Sequence, residues 1–537
     1  MKLISLSFNN HHSSLTFLKD GKVVEHVISE RITRKKHEYK INSTFEIFTS
    51  NLKEKYDHLS AIIFSNEDGA YSKLHLEELI DFLNENNNFL PKDKFLFVNP
   101  ENHHLSHAYS GFYTSNFDDA LCFIFDGDGS SFYNLIPNEV CSERETIFLF
   151  KDGKCTNTPL HKKYRILQER YLTHEGYKND NTADDVILDD GFIATKIYSI
   201  GNKFEQLSVE CGFSWQDSGK ITGLAQYKNH IDKLPEEYNI KFWKEKVEES
   251  YNLQISSKNY IANLIRKYHK ETGINNIVIS GGVGLNCVIN YHLIKEFPEL
   301  NFHIDPVCSD AGISLGNALY EYVKKTNLKP EKVTTTYLGY TKNTYDLSSF
   351  NNLIISKVKY EDVVDILIGG NLVALFQGRS EIGQRSLGNR SLLFDPRIKN
   401  GKEIVNKIKK RESFRPFAAS ILLEYANEWF DLRTLKESPY MSFAIDAYEK
   451  TMEKVPSVIH ADGTSRIQTV TKKQNYHFSN LIETFYKKTD VPMLLNTSFN
   501  LAGEPLVETL EDAINVISRS EIEYLYLPEI ETLVMLK

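Results

Sequence analysis

Cysteine is scarce in this chain. There are six in 537 residues, none in a CxxC pair and none in the last third. That spacing argues against a secreted disulfide framework and against a zinc ribbon. No apolar run reaches 18 residues. The nearest approach, Val363 to Phe376, is broken by Asp365, Gly369-Gly370 and Asn371, so no membrane-spanning helix and no membrane partner are expected. Met1 to Phe8 is too short and soon too polar for a signal peptide, which points to a cytoplasmic protein. Acidic tails, proline-rich linkers, low-complexity stretches and internal repeats are missing too. What remains is a composition of 41% hydrophobic and 25% charged residues, ordinary for a globular chain. The length suits two to four domains. A formal net charge of −9 leaves no broad cationic surface, and no nucleic-acid partner is expected.

The pattern along the chain predicts an α/β protein. Leu3–Phe8, Leu15–Leu18 and Val23–Val27 read as a β-meander, with a polar turn at Asn9–Ser14 and a tight turn at Lys19–Lys22. Polar loops that join core strands are favourable places for ligand contacts. His103–Tyr113 reads as a helix. Ala120–Phe125 is a wholly apolar strand that runs into Asp126-Gly127-Asp128-Gly129, and Ile277–Ser280 runs into Gly281–Gly284. A meander followed by strands with glycine turns predicts a ribonuclease-H-like nucleotide-binding domain. A boundary is expected near Thr334–Tyr345. Beyond it lie a helix at Asp362–Ile368 and strands near Leu372–Phe376, Ser420–Leu422 and Met493–Leu495, enough for a second domain.

Charge is concentrated in one window. Gly378–Arg415 holds eleven basic and four acidic residues, a net of +7, so the rest of the chain carries −16. A local cationic well suits a small polyanion such as a nucleotide triphosphate; a solvated basic face is the plain alternative.

Several motifs carry chemistry. His103 and His107 are four apart, which places both imidazoles on one helical face, as a metal pair requires. The intervening residues lack the Glu of a zinc-protease HExxH. Asp126 ends a buried strand, where its carboxylate either completes a metal site or closes an Asp-Gly turn. The Asp126–Ser130 spacing imitates an EF-hand, but Pro137 stands where Glu is required. Asp310 precedes the apolar helix Ile313–Tyr322 and is expected to cap it, or else to face a ligand. Gly281, Gly282 and Asn286 form a glycine turn that lets a backbone approach a nucleotide. It is not a Walker A motif. Lys409-Lys410-Arg411 and Asn496–Asn500 offer phosphate-binding groups, or two structural turns.

In this order the motifs resemble the O-carbamoyltransferase family of nodulation-factor and antibiotic carbamoyltransferases. The resemblance runs through Phe8–Ser14, Glu30–His37, His103–Ala108, Asp126-Gly127, Gly219–Ala225, Ser280–Asn286, Asp310–Gly312, Gly378–Gly383 with Arg385–Arg390, Arg411–Ala418, and Leu495–Asn500 with Gly503–Pro505. It implies an actin/sugar-kinase-like transfer domain over residues 1–345, similar to threonylcarbamoyl-transfer enzymes. A YrdC-like domain that forms carbamoyl adenylate from ATP and carbamoyl phosphate would follow over 346–537. The acceptor would be a hydroxyl of a small molecule, a sugar or a natural product.

Carried over by motif, His103, His107, Asp126 and Asp310 would hold Fe2+ or another divalent transition metal. His11 and Lys36 would flank the transferred group, and Gly281, Gly282 and Asn286 would line the nucleotide. Lys409, Arg411 and Arg415 would act on the phosphates, with Arg379, Arg385, Ser498 and Asn500 binding ATP, accompanied by Mg2+. The sequence departs from the family pattern at His12, where Asp is usual, and at Thr222, where Met is expected. Other readings are a tRNA-modifying carbamoyl enzyme, a sugar or acyl kinase, and an inactive nucleotide-binding regulator. The expected assembly is a homodimer.

Overall fold

Leu3, Ile4 and Leu6 are all buried, so the first strand has no solvent face and must lie inside a sheet. The computed structural model describes residues 1–8, 12–37, 61–66, 95–97, 102–156, 158–167, 185–340 and 345–536. The first sheet comprises β1 (Lys2–Phe8), β2 (Ser14–Lys19), β3 (Lys22–Ile28), β4 (Ala61–Asn66) and β5 (Phe95–Phe97), in the order β3-β2-β1-β4-β5. β1–β3 form an antiparallel meander, and β4 and β5 run parallel to β1. Asp20 and Gly21, both at positive φ, make the two-residue turn of the β2–β3 hairpin.

The second sheet comprises β6 (Ala120–Phe125), β7 (Ser131–Ile136), β8 (Glu139–Lys151), β9 (Lys154–Cys155), β10 (His161–Leu167), β11 (Val186–Ile187), β12 (Ile193–Thr195), β13 (Asn276–Ser280) and β14 (Asn301–Ile304). Its order is β11-β12-β10-β8-β6-β13-β14, with β7 and β9 paired to β8. The portion β10-β8-β6-β13-β14 repeats the first sheet strand for strand. Its first three strands are antiparallel, and its last two run parallel to β6. The ribonuclease-H-like arrangement is therefore present twice, although the sequence shows no repeat.

Two helices occupy matching places. α1 (His103–Thr114) follows β5, and α2 (Ile313–Thr326) follows β14. They pack together closely: Ser106 Oγ donates to Asn317 Oδ1 at 2.5 Å, and the Tyr109 and Tyr320 rings meet edge to face at 5.4 Å. The approach is so tight that a Cβ on Gly316 would lie 1.8 Å from the Ser106 carbonyl oxygen.

By contacts the chain forms two compact units. One is Met1–Gln206, Leu264–Leu285 and Glu299–Thr334; the other is Leu207–Asn263, Asn286–Pro298 and Thr335–Lys537. Both sheets above belong to the first. The second unit has a nine-stranded mixed sheet made of β15 (Leu353–Lys357), β16 (Val373–Phe376), β17 (Arg390–Phe394), β18 (Ala418–Leu422), β19 (Ala444–Asp446), β20 (Thr464–Val470), β21 (Met493–Ser498), β22 (Tyr524–Leu527) and β23 (Thr532–Leu536). Its order is β15-β23-β22-β16-β17-β21-β18-β20-β19. The central strands β16, β17 and β18 are buried along their whole length. No described helix is long and apolar enough to cross a membrane.

Replacing Gly316 by Ala should drive α1 and α2 apart. We expect a loss of about 3 kcal/mol in urea unfolding, a large overpacking effect, whereas Gly212→Ala, with open space around its Cβ position, should lose less, limited to its positive-φ strain.

Candidate functional site

The loop after β6 and the starts of α1 and α2 converge in the first unit. Asp126 is divided between two tasks. Its Oδ1 accepts the backbone N–H of Gly127 at 2.9 Å and of Gly282 at 3.1 Å. Its Oδ2 lies 3.2 Å from His103 Nε2 and 3.1 Å from His107 Nε2. Asp310 Oδ1 faces the same two nitrogens at 3.9 and 3.7 Å. All four residues are buried, and their ligand atoms lie within 4.8 Å of one another.

Asp310 does not cap the helix, as its position had implied. Gly312 stands at the helix's N-cap position without a side-chain bond, and Ser309 caps only the short 3-10 turn Asp310–Gly312 through the Ala311 N–H, while the Asp310 carboxylate faces the cluster. Glycine is required at position 281. Gly281 sits at φ +84°, and a Cβ there would strike the Phe125 carbonyl at 2.4 Å.

The donors fit a divalent ion. Ligands about 2.1 Å from a metal lie roughly 3–3.4 Å apart, close to the separations at Asp126. His107 Nε2 is buried without a hydrogen bond of good geometry. On the ring's other side, Nδ1 lies 3.5 Å from Ser280 Oγ, which donates to Asp305 at 2.7 Å. Such an outer contact orients a ligating imidazole. Burial disfavours a charged His107, but the Asp126 and Asp310 carboxylates facing its Nε2 outweigh this and lift it to about 9. Burial also opposes the Asp126 charge, yet the two histidines hold it well below the carboxylate range. His104 points elsewhere: Nδ1 meets Thr146 Oγ1 at 2.7 Å, and burial lowers its pKa to about 4.

Glu143, absent from the sequence expectations, organises this loop. Its Oε2 accepts the N–H groups of His104 at 3.3 Å and Ser130 at 3.2 Å, and its Oε1 pairs with Lys162 at 2.6 Å. It thus supplies a distant cap to the helix that carries both histidines. Burial alone would raise its pKa, but Lys162 and then His104 pull it down to about 2. Glu205 is a second omission. Burial, with Asp128 and Asp126 nearby, lifts it to about 7 against a hydrogen bond from Asn202. No local motif marks either residue, since Lys162 and His104 for Glu143, and Asp128 and Asp126 for Glu205, lie far from them in sequence.

Of the remaining expected residues in this unit, His11 lies outside the described residues. Lys36 is exposed in the turn after helix Ser29–Thr33. Asn286 belongs to the other unit, where it caps helix Cys287–Glu296 through the Ile289 N–H at 3.2 Å and pairs with Gln254.

The second unit gathers cations. Buried Lys409 donates to Asn500 Oδ1 at 3.1 Å, Asn500 O at 2.9 Å and Ser498 Oγ at 3.4 Å; Ser498 Oγ in turn donates to Asn500 at 2.6 Å. Arg411 donates to Asn406 at 2.5 Å and to the Pro416 carbonyl at 2.8 Å, over the Phe417 ring. Arg466, missed from the sequence, joins them from β20. Strand alternation places it on the same face as Asn496 and Ser498, because Asn496 reaches Gln468 across that face.

Burial and then the neighbouring cations depress all three charges. Lys409 feels Arg411 and Arg415, and Arg411 feels Arg415 and Arg466. Arg466 is brought to about 9, with Arg385 and Arg415 contributing. No described carboxylate forms an ion pair with Lys409, Arg411 or Arg466, whereas Arg415 lies 3.5 Å from Glu412. Other cations of the window have structural tasks. Arg379 and Arg390 bind backbone carbonyls, and Arg397 grips Asp395. Glu381 spends its Oε1 on the Leu387, Asn389 and Arg390 N–H groups, which holds the loop bearing Arg385.

Comparison with known proteins decides the family. The model described as the carbamoyltransferase N-terminus matches residues 53–319, and that for the carbamoyltransferase C-terminus matches 364–533. The chain belongs to the carbamoyltransferase family. This carbamoyltransferase is 28% identical to nodulation protein NolNO of Sinorhizobium fredii, over 96% of the chain and 77% of the relative. It is equally similar, at 28%, to the uncharacterized protein MJ1051 of Methanocaldococcus jannaschii, over 97% of each. Nodulation protein NolO of Bradyrhizobium diazoefficiens is 29% identical over 79% of the chain and 77% of the relative. Among solved structures, HypF of T. kodakarensis aligns with a TM-score of 0.37 at 11% identity, over 62% of this chain and 49% of that one. A ROK hexokinase from Thermus thermophilus aligns with a TM-score of 0.32 at 11% identity, over 60% and 100%. The α/β, duplicated ribonuclease-H-like assignment rests on strand order and direction.

Two outcomes are expected of this enzyme. His107→Ala should weaken retention of a divalent transition metal by roughly tenfold or more, read as metal content after dialysis. Glu143→Gln should cost about 3 kcal/mol near neutrality. Because Glu143 is depressed when folded, its contribution is complete above pH 4.5 and is lost as the pH falls toward about 2. The gap between wild type and variant in urea titrations should therefore narrow only on that acid side.

Proposed function

We propose that this carbamoyltransferase activates its carbamoyl group as an adenylate and passes it to a hydroxyl of a small molecule, a sugar or natural product. Residues 346–537 would perform activation and residues 1–345 transfer. The observation that carries the reading is the group of Lys409, Arg411 and Arg466, cations without a described carboxylate partner. Enclosed positive charge of this kind is costly unless an anion completes it. ATP, with Mg2+, and a carbamate supply that anion.

Atom balance sets the order of events. Carbamoyl phosphate and water yield carbamate and phosphate. A carbamate oxygen then attacks the α-phosphorus of ATP, and the bond to the β,γ-phosphates breaks to release pyrophosphate. Lys409, Arg411, Arg415 and Arg466 stabilise the charge that gathers on the leaving group. Ser498 and Asn500, already bonded to Lys409, orient the phosphates, and Arg385 lies on the loop held by Glu381. In the transfer half the acceptor oxygen attacks the carbamoyl carbon, and the carbon–oxygen bond to AMP breaks. His11 would take the hydroxyl proton, and Lys36 would stabilise the developing oxyanion.

Gly281 and Gly282 keep the nucleotide turn free of side chains. His103, His107, Asp126 and Asp310 would hold a divalent transition ion, Fe2+ being one candidate. Such an ion supplies Lewis-acid stabilisation of negative charge.

Incubation with ATP, Mg2+ and carbamoyl phosphate, followed by phosphorus NMR and mass spectrometry, tests the activation half. Pyrophosphate and carbamoyl adenylate are expected, with pyrophosphate release about 100-fold slower in Arg466→Ala. ADP in place of pyrophosphate would overturn adenylation in favour of a kinase.

A further inference from the structure

In the duplicated fold β1 occupies the place in the first sheet that β6 occupies in the second. Asp126 ends β6, which matches β1; the residues after β1 include His12. His12 is joined there by Glu30, from helix Ser29–Thr33, and by His37, just beyond that helix. Ligand atoms of the three lie within 4.8 Å of one another, and all three side chains are partly exposed. The His12 and His37 rings meet edge to face with centroids 5.1 Å apart. The His37 N–H donates to Glu30 Oε2 at 2.9 Å, which fixes the carboxylate beside the imidazoles. His37 makes that bond from a left-handed backbone conformation, φ +60°, uncommon for a non-glycine residue.

We propose that His12, Glu30 and His37 form a second divalent-metal site, distinct in its residues from the His103–Asp310 cluster and of the Zn2+ class. Two imidazoles and one carboxylate are a common three-ligand set for Zn2+, and a small side-chain adjustment brings the donors to the roughly 3.4 Å separation of tetrahedral ligands. Partial exposure lets an ion enter and leaves its remaining position to water or an alcohol oxygen. Resting on the transfer reading above, that oxygen is the acceptor hydroxyl, whose acidity the ion raises.

The test uses the full chain and Co2+ as a spectroscopic stand-in for Zn2+. Wild type should retain about two equivalents after dialysis, and His37→Ala about one. The double variant His103→Ala/His107→Ala should keep about one equivalent with ligand-field absorption, and adding His12→Ala should abolish it. Wild type and His37→Ala retaining the same amount would overturn the site, even if the double variant failed to fold. So would absorption that survives the loss of His12. Stoichiometry that falls as expected while no acceptor is ever carbamoylated would leave the metal site standing and remove the transfer reading instead.

Discussion

The Asp126 carboxylate is the contact on which the first unit's histidine–aspartate cluster depends. One oxygen is held by the backbone of its own turn and of the Gly281-Gly282 turn, and the other faces His103 and His107. A carboxylate pinned in this way cannot rotate to satisfy itself, so its free oxygen stays aimed at the imidazoles. The sheet enforces the geometry. β6 and β13 are parallel neighbours, so their two glycine turns emerge side by side. No side chain fits at Gly281, where the Phe125 carbonyl already occupies the space.

Around that contact the fold adds charged support to the apolar packing of β6 and α1. Glu143 ties the histidine helix and the β6 loop to Lys162. Removing one member of a buried pair leaves the other uncompensated, which makes such supports expensive to lose. In the second unit the logic is reversed. Lys409, Arg411 and Arg466 stay close together with no ion pair to a described carboxylate, a condition that the proposed anionic substrate would relieve.

The basic window from Gly378 to Arg415 illustrates how far sequence reasoning reached. Its excess charge pointed to a polyanion, but the side chains are not equivalent. Arg379, Arg390 and Arg397 are engaged by carbonyls or by Asp395, while Glu381, counted as an opposing charge, binds backbone N–H groups. Arg466 lies 51 positions after Arg415 and joins the cluster only because β18 and β20 pair in register. Asp310 was ambiguous between cap and ligand for a similar reason. A 3-10 turn over Asp310–Gly312 sets the helix start at Gly312, beyond the reach of an Asp310 cap, and the position of the histidines decides what its carboxylate faces.

The sequence by itself determined the local elements: the meander, the apolar strands that end in glycine turns, the helical spacing of His103 and His107, and the ordered motifs of the carbamoyltransferase family. These follow from periodicity, turn chemistry and residue order, all carried within short windows. Tertiary structure alone decided which groups share a site. The fold duplication lies in strand order and direction, which leave no repeat in side-chain identity. Glu143, Glu205 and Arg466 acquire their environments from burial and from neighbours far along the chain, and desolvation and Coulomb interaction depend on distance in space rather than on separation in sequence.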